Sequence, residues 1–206
     1  MTSVVNLRAF ANSAVVPLVV LVDMQQEYLA EPRMLALTDA DAALANCRLL
    51  LDHARRIGLP VAFMRMVGES VFFNRATPFA RWIDGFEPFR NEMIFERTSP
   101  SCYACEPFAA FMDQSRGGIV MAGFAGESAC LSTLIDAFHR KHKVTYLFDA
   151  SASHALDELS ADQVHHAVST ISGLYAEVRG TAEWIAATAP VRLRDGKIGN
   201  GIGTSG

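Results

Sequence analysis

The chain has 206 residues, 50% of them apolar and 19% charged, which suits one globular domain with a sizeable core and would leave two domains cramped. The formal net charge is −4 with histidine neutral, and no run of Lys or Arg stands out, so nucleic acid and anionic membrane are poor partners. No stretch reaches the ~18 uninterrupted apolar residues that mark a bilayer-spanning helix.

The first apolar run reads VVPLVVLVD. It is short, β-branched and closed by Asp23, so residues 17–22 are predicted to be a buried strand rather than part of a signal peptide, and the chain to be cytoplasmic. Residues 40–57 carry apolar side chains at helical spacing, and Gly58 is placed to stop that helix. Residues 59–64 (LPVAFM) read as the second strand. Residues 67–92 are irregular and rich in aromatic side chains, among them Phe72, Trp82 and Phe86. A short strand is predicted at 93–95, and a helix at 107–114 with Pro107 in its first turn. Then come a strand at 118–122 (GIVMA), a helix at 128–142, a strand at 144–148 closed by Asp149, a helix at 161–172, an edge strand at 176–178 and a helix at 181–187. Residues 1–190 are expected to form a single domain, and the Gly-rich residues 191–206 a flexible tail.

Continuous apolar strands alternating with helices indicate βαβ units, hence an α/β fold with a mainly parallel sheet covered on both faces, three layers in all. Ligands of open α/β sheets bind at the carboxyl ends of strands. That rule selects Asp23, the loop after Met64, the turn at 123–129 and Asp149.

Cys130 opens a helix behind the Gly-rich turn GFAGES. A helix N-terminus favours thiolate, and its free N–H groups can hold an oxyanion; a lone buried Cys is equally at home as a small core residue. Asp23 could take a proton from such a thiol or serve as a cap or turn residue. Cys102 and Cys105 have the spacing of a redox pair but no second pair or neighbouring His for zinc, so they read first as buried thiols and second as a redox site.

Four segments together, VVLVDMQQEYL, IFERTSPSCYACEPF, VMAGFAGESACLSTLIDAF and VTYLFDASASHAL, resemble the isochorismatase-like cysteine hydrolases, the group that includes nicotinamidases and N-carbamoylsarcosine amidase. The resemblance spans roughly residues 15–190. It implies a Rossmann-like, doubly wound sheet carrying an Asp-Lys-Cys triad, with Asp23 as general base and Cys130 as nucleophile. It also implies a non-proline cis peptide near Ala125–Gly126, with amides around Gly126 and Cys130 holding the oxyanion. Two departures stand out. Gly126 replaces a Thr or Ser in a turn one residue longer than usual. Arg97 occupies the Lys position, and an Arg can hold charge beside Asp23 and Cys130 but cannot shuttle a proton. Lying between the two, it is expected to lower both pKa values by about 1–3 units.

Some relatives bind a metal through an Asp-x-His motif after the second strand. None follows it here, and the histidines are His53, His139, His142, His154, His165 and His166. No metal or other cofactor is expected. Gln25, Tyr28, Phe72, Trp82, Phe86 and Tyr103 are the expected substrate-binding side chains, the aromatic ones suiting a flat acyl or amide group. The reaction implied is hydrolysis of a C–N bond in a small amide or ureide through a thioester. The rival reading is a non-hydrolytic homologue that binds a small molecule or a partner protein. The family pattern also implies a homodimer or homotetramer.

Overall fold

The computed structural model describes residues 16–115 and 117–188; the predicted tail lies outside them. Six parallel strands form one sheet in the order β3-β2-β1-β4-β5-β6, with β1 Leu18–Val22, β2 Val61–Met66, β3 Met93–Arg97, β4 Ile119–Gly123, β5 Val144–Ser151 and β6 Glu177–Arg179. The helices are α1 Asp41–Ile57, α2 Glu106–Gln114, α3 Leu131–His139, α4 Ala161–Ser172 and α5 Thr181–Thr188. The fold is therefore the three-layer α/β/α sheet expected.

Strand β1 runs down the middle, paired with β2 on one side and β4 on the other. All five of its residues are buried, as a strand covered on both faces requires. Val19 and Leu21 point into the layer shared with α1 and α5, and Val20 and Val22 into the layer under α2 and α3. Helix α1 buries Ala43, Cys47, Leu50, Leu51 and Ala54, one stripe at spacings of three and four. Gly58 stops it in the left-handed region (φ +74°), its N–H donating to the Ala54 carbonyl.

The chain order reverses between β1 and β4. Such a switch point leaves a crevice at the strands' carboxyl ends, because the connections on either side depart to opposite faces. Asp23 follows β1 and the Cys130 turn follows β4, so topology brings them together.

Strand β5 runs three residues beyond the predicted end. Asp149 is therefore inside a strand, and its Oδ1 accepts from the N–H (2.8 Å) and hydroxyl (2.7 Å) of Thr181. It caps α5 rather than serving the crevice, a correction to the strand-end rule as applied to it. Asp is uncommon in strands, which is why the pattern seemed to stop there.

Candidate active site

Asp23 leaves β1 with φ +48°, a left-handed conformation that Asp tolerates better than most residues, and its N–H donates to Met64 O at 2.8 Å. The carboxylate is wholly buried. Arg97 is the last residue of β3, two strands away across β2. Its side chain spans that gap: Nη2 donates to Asp23 Oδ2 at 2.7 Å, and Nη1 to Ser99 O at 3.1 Å and Met66 Sδ at 3.3 Å. Neither side chain of the pair has any solvent exposure. Burial raises the Asp23 carboxyl to about 6, with Arg97 holding it back from rising further. Arg97 stays charged: burial opposes its charge, but Asp23 outweighs that and raises its pKa.

The nucleophile turn begins at Gly123, whose φ of +117° and close approach exclude a side chain; a Cβ there would stand 2.1 Å from Val22 O. The Phe124–Ala125 peptide is cis. Residues Gly126–Cys130 then form a π turn, in which the Cys130 N–H donates to Ala125 O at 3.1 Å, five residues back. A π turn holds one residue more than an α turn, and such turns recur at functional sites. The extra residue is absorbed there, after the cis bond. The cis bond expected near Ala125–Gly126 is therefore the one before it, Phe124–Ala125.

Cys130 is also wholly buried, with Sγ 3.5 Å from Gly123 O and 3.8 Å from Ser151 Oγ. Burial pushes its thiol well up; Ser151 opposes this, and Cys102, Asp23 and Glu127 add to it. The positive charge of Arg97 falls on Asp23 and Cys102 instead. The expectation that Arg97 lowers both pKa values holds for Asp23, where burial outweighs it, and is corrected for Cys130, on which Arg97 does not act. Asp23 lies near 6, above its usual value, and Cys130 rests as a neutral thiol.

The isochorismatase domain model matches residues 17–183 of this chain. The chain belongs to the isochorismatase family. Similar solved structures include an isochorismatase from Pseudomonas putida KT2440, 28% identical with a TM-score of 0.75, covering 83% of this chain and 90% of that one. A cysteine hydrolase from Pseudomonas syringae pv. phaseolicola 1448A is 22% identical with a TM-score of 0.75, over 85% of this chain and 93% of the other. N-carbamoylsarcosine amidase from Thermoplasma acidophilum is 20% identical with a TM-score of 0.65, over 80% of this chain and 96% of the other. The two lower identities speak for the fold alone. No curated protein matches. No helix among the described residues is long and apolar enough to cross a membrane.

Gly126 of this isochorismatase-family chain differs from its expected role. Its N–H already donates to Ala152 O at 2.8 Å, so it is not an oxyanion donor. A Cβ there would stand 2.7 Å from Ser153 Oγ and 3.3 Å from Ser151 Oγ, so a Thr or Ser would collide with the end of β5 and the residues beyond it. The Ala125 N–H, by contrast, donates to no group among the described residues.

Of the six side chains expected to bind substrate, only Tyr28 borders the centre. Its ring lies 5.8 Å from Phe124 and 5.5 Å from Phe73. Gln25 is buried and fully engaged, donating to Met66 O and Ala80 O and accepting from Met66 N–H; it ties β2 to the irregular segment. Trp82 packs edge-on against Phe63 with Arg65 stacked over it. Phe86 is a core residue on the α1 side, under Arg48. Phe72 lies beneath Arg33. The hydroxyl of Tyr103 bonds His142 Nδ1 at 2.7 Å, in the α2–α3 layer. Cys102 and Cys105 are buried free thiols.

Sequence reasoning placed Phe73 only within the aromatic stretch and missed Phe124, Ser151, Glu127 and His154 as site residues. Two of these form a pair: Glu127 Oε1 meets His154 Nδ1 at 2.7 Å. Both lie in segments that carry the family resemblance, but no spacing marks them as partners. Residues 71–79 pack beside the site, where Phe73 meets Tyr28. Arg33 donates to Val71 O (2.7 Å) and stacks over Phe79, while Glu27 accepts from the Phe73 N–H (3.2 Å).

Proposed function

We propose that this isochorismatase-family hydrolase cleaves a C–N bond of a small amide or ureide through a thioester on Cys130. The observation that carries the reading is the meeting of a buried thiol and a buried carboxylate at the crevice between β1 and β4. Burial holds the thiol neutral, while Arg97 lets the buried carboxyl ionise near pH 6.

A carboxyl with a pKa of about 6 is mostly ionised at neutral pH, yet basic enough to accept a proton in a transition state. Asp23 takes the Cys130 proton as sulfur attacks the carbonyl carbon. The proton then passes from Asp23 to the departing nitrogen, so that an amine or ammonia leaves neutral. Water enters, gives its proton to Asp23 and attacks the thioester, and the acid and the free thiol return. The oxyanion is met by the Ala125 N–H; the Cys130 N–H, like that of Gly126, is already engaged by a carbonyl. Arg97 touches none of the reacting atoms in this scheme. It is a positioning residue that holds Asp23 in place and keeps its pKa within working range.

The test is a screen of amides and ureides for ammonia or amine release, wild type against Cys130→Ser and Cys130→Ala. Turnover lost in both variants supports the reading. The complete burial and raised pKa of Cys130 favour the second reading, a non-hydrolytic binding protein. A thiol that resists iodoacetamide near neutral pH, together with a blank screen, would decide for that one.

A further inference from the structure

Buried polar atoms almost always find a hydrogen-bond partner, so those without one ask for an explanation. Among the described residues they are Asp23 Oδ1, Arg97 Nε, Glu127 Oε2, Tyr146 Oη and Ser172 Oγ. The first two belong to the ion pair at the crevice. Glu127 and Tyr146 both lie close enough to Cys130 to couple to its charge. A polar ligand is the natural completion of such a set.

Glu127 stands in the π turn three residues before Cys130, with its side chain 14% exposed. Its Oε1 is held by His154 Nδ1, and His154 Nε2 faces the Leu35 carbonyl at 3.0 Å. Both ring nitrogens meet acceptors, so both carry protons and His154 is an imidazolium. The shifts agree in direction. Glu127 raises His154, and burial of Glu127 is outweighed by His154 together with its own backbone N–H and, least, the Ser153 hydroxyl, which lower it. The His154 ring is 6.0 Å from the Tyr28 ring, and Tyr28 lies close enough to Cys130 and Glu127 to couple to both, so the pair stands on the nucleophile's side of the sheet edge.

The cations around the site are already matched. Arg97 holds Asp23, His154 holds Glu127, Arg33 holds Glu27, and Arg65 and Arg75 share Glu96. None of them is left to receive a substrate carboxylate, whereas Glu127 Oε2 is left without a donor. We propose that Glu127 determines specificity: Oε2 accepts an N–H from a neutral carboxamide or ureide, and the site rejects substrates that carry a carboxylate. The substrate role rests on the hydrolase reading above, but the preference for an N–H donor can be read without turnover.

Iodoacetamide and iodoacetate are near-isosteric thiol reagents, one a neutral N–H donor and the other an anion. Their alkylation rates at Cys130, located by peptide mass, are compared as a ratio and divided by the same ratio for a free cysteine peptide. Opposed like charges cost enough that the wild type should favour iodoacetamide by about tenfold or more after this correction. Glu127→Gln keeps the side-chain shape and an acceptor for His154, and should bring the ratio to within about twofold of the free peptide. Glu127→Asp, which keeps the charge and shortens its reach, should fall between; it serves if the first variant does not fold. A wild-type ratio near one, a ratio unmoved in these variants, or a Cys130 that neither reagent labels would overturn the proposal. A blank ammonia-release screen beside a high ratio would sink the hydrolase reading and leave the recognition of an N–H donor standing.

Discussion

Replacing Arg97 by Met keeps much of the side-chain volume and removes the charge beside Asp23. An opposite charge at this range lowers a carboxyl pKa by about 1–3 units, so its loss should move Asp23 from about 6 to about 7–9. At pH 7 the ionised fraction then drops from ~90% to between ~50% and ~1%, a loss of about 2- to 100-fold in any rate that needs the carboxylate. The loss should be recovered by raising the pH. The acid limb of the pH–rate profile moves up with Asp23, while Arg97→Lys leaves it within about one unit of the wild type. Protonation of Asp23 can be followed directly, by the infrared carbonyl stretch of its acid form, assigned by its absence in Asp23→Asn. Stability carries the same signature. In the variant the folded pKa lies far above the unfolded ~3.9, so the contribution of Asp23 is fully present below about pH 4 and is lost as pH rises through about 7–9. The wild type loses the corresponding contribution between about pH 4 and 6. Thermal unfolding from pH 5 to 9 should therefore show a decline in the variant that the wild type has already completed by neutral pH. An acid limb and a carbonyl titration that stay near 6 in Arg97→Met would refute the positioning role.

Cys130→Ala should abolish turnover with little change in far-ultraviolet circular dichroism; activity within a few fold of the wild type would remove Cys130 as nucleophile. Asp23→Asn should lower kcat/KM by about 10²–10⁴-fold, the usual worth of a positioned acid–base group, and erase the acid limb near pH 6; a loss under about tenfold at saturating substrate would return Asp23 to a structural role. Gly126→Ser should destabilise the chain by about 1–3 kcal/mol on thermal or urea unfolding, because the new Cβ meets Ser153 Oγ at 2.7 Å; a neutral result would mean that the segment after β5 yields freely. Arg33→Ala releases residues 71–79 and should speed iodoacetamide labelling of Cys130 several-fold, whereas an unchanged rate would place the entry route elsewhere.

Much of this architecture is determined by the sequence alone. Strand β1 is legible because a strand covered on both faces must be apolar at every position, and LVVLV is. Helix α4 was predicted to the residue, its start marked by Ser160 and Gln163, which form a capping box. Asp23 and Cys130 could be placed at the crevice because strand ends follow from the same local pattern. These are short-range properties, written in the spacing of neighbours along the chain. Tertiary structure alone decided which groups meet across it. Arg97 reaches Asp23, 74 residues away in sequence, by spanning the end of β2, a meeting that the family resemblance implied but no local pattern encodes. Among the aromatic side chains of residues 72–86, Phe73 meets Tyr28 while Phe86 and Trp82 pack on the sheet, because the path of an irregular segment has no period to read. The resting charge of Cys130 was also beyond the sequence. A helix start favours thiolate, but full burial raises the thiol more strongly, and burial is a property of everything folded around a residue rather than of its neighbours in the chain.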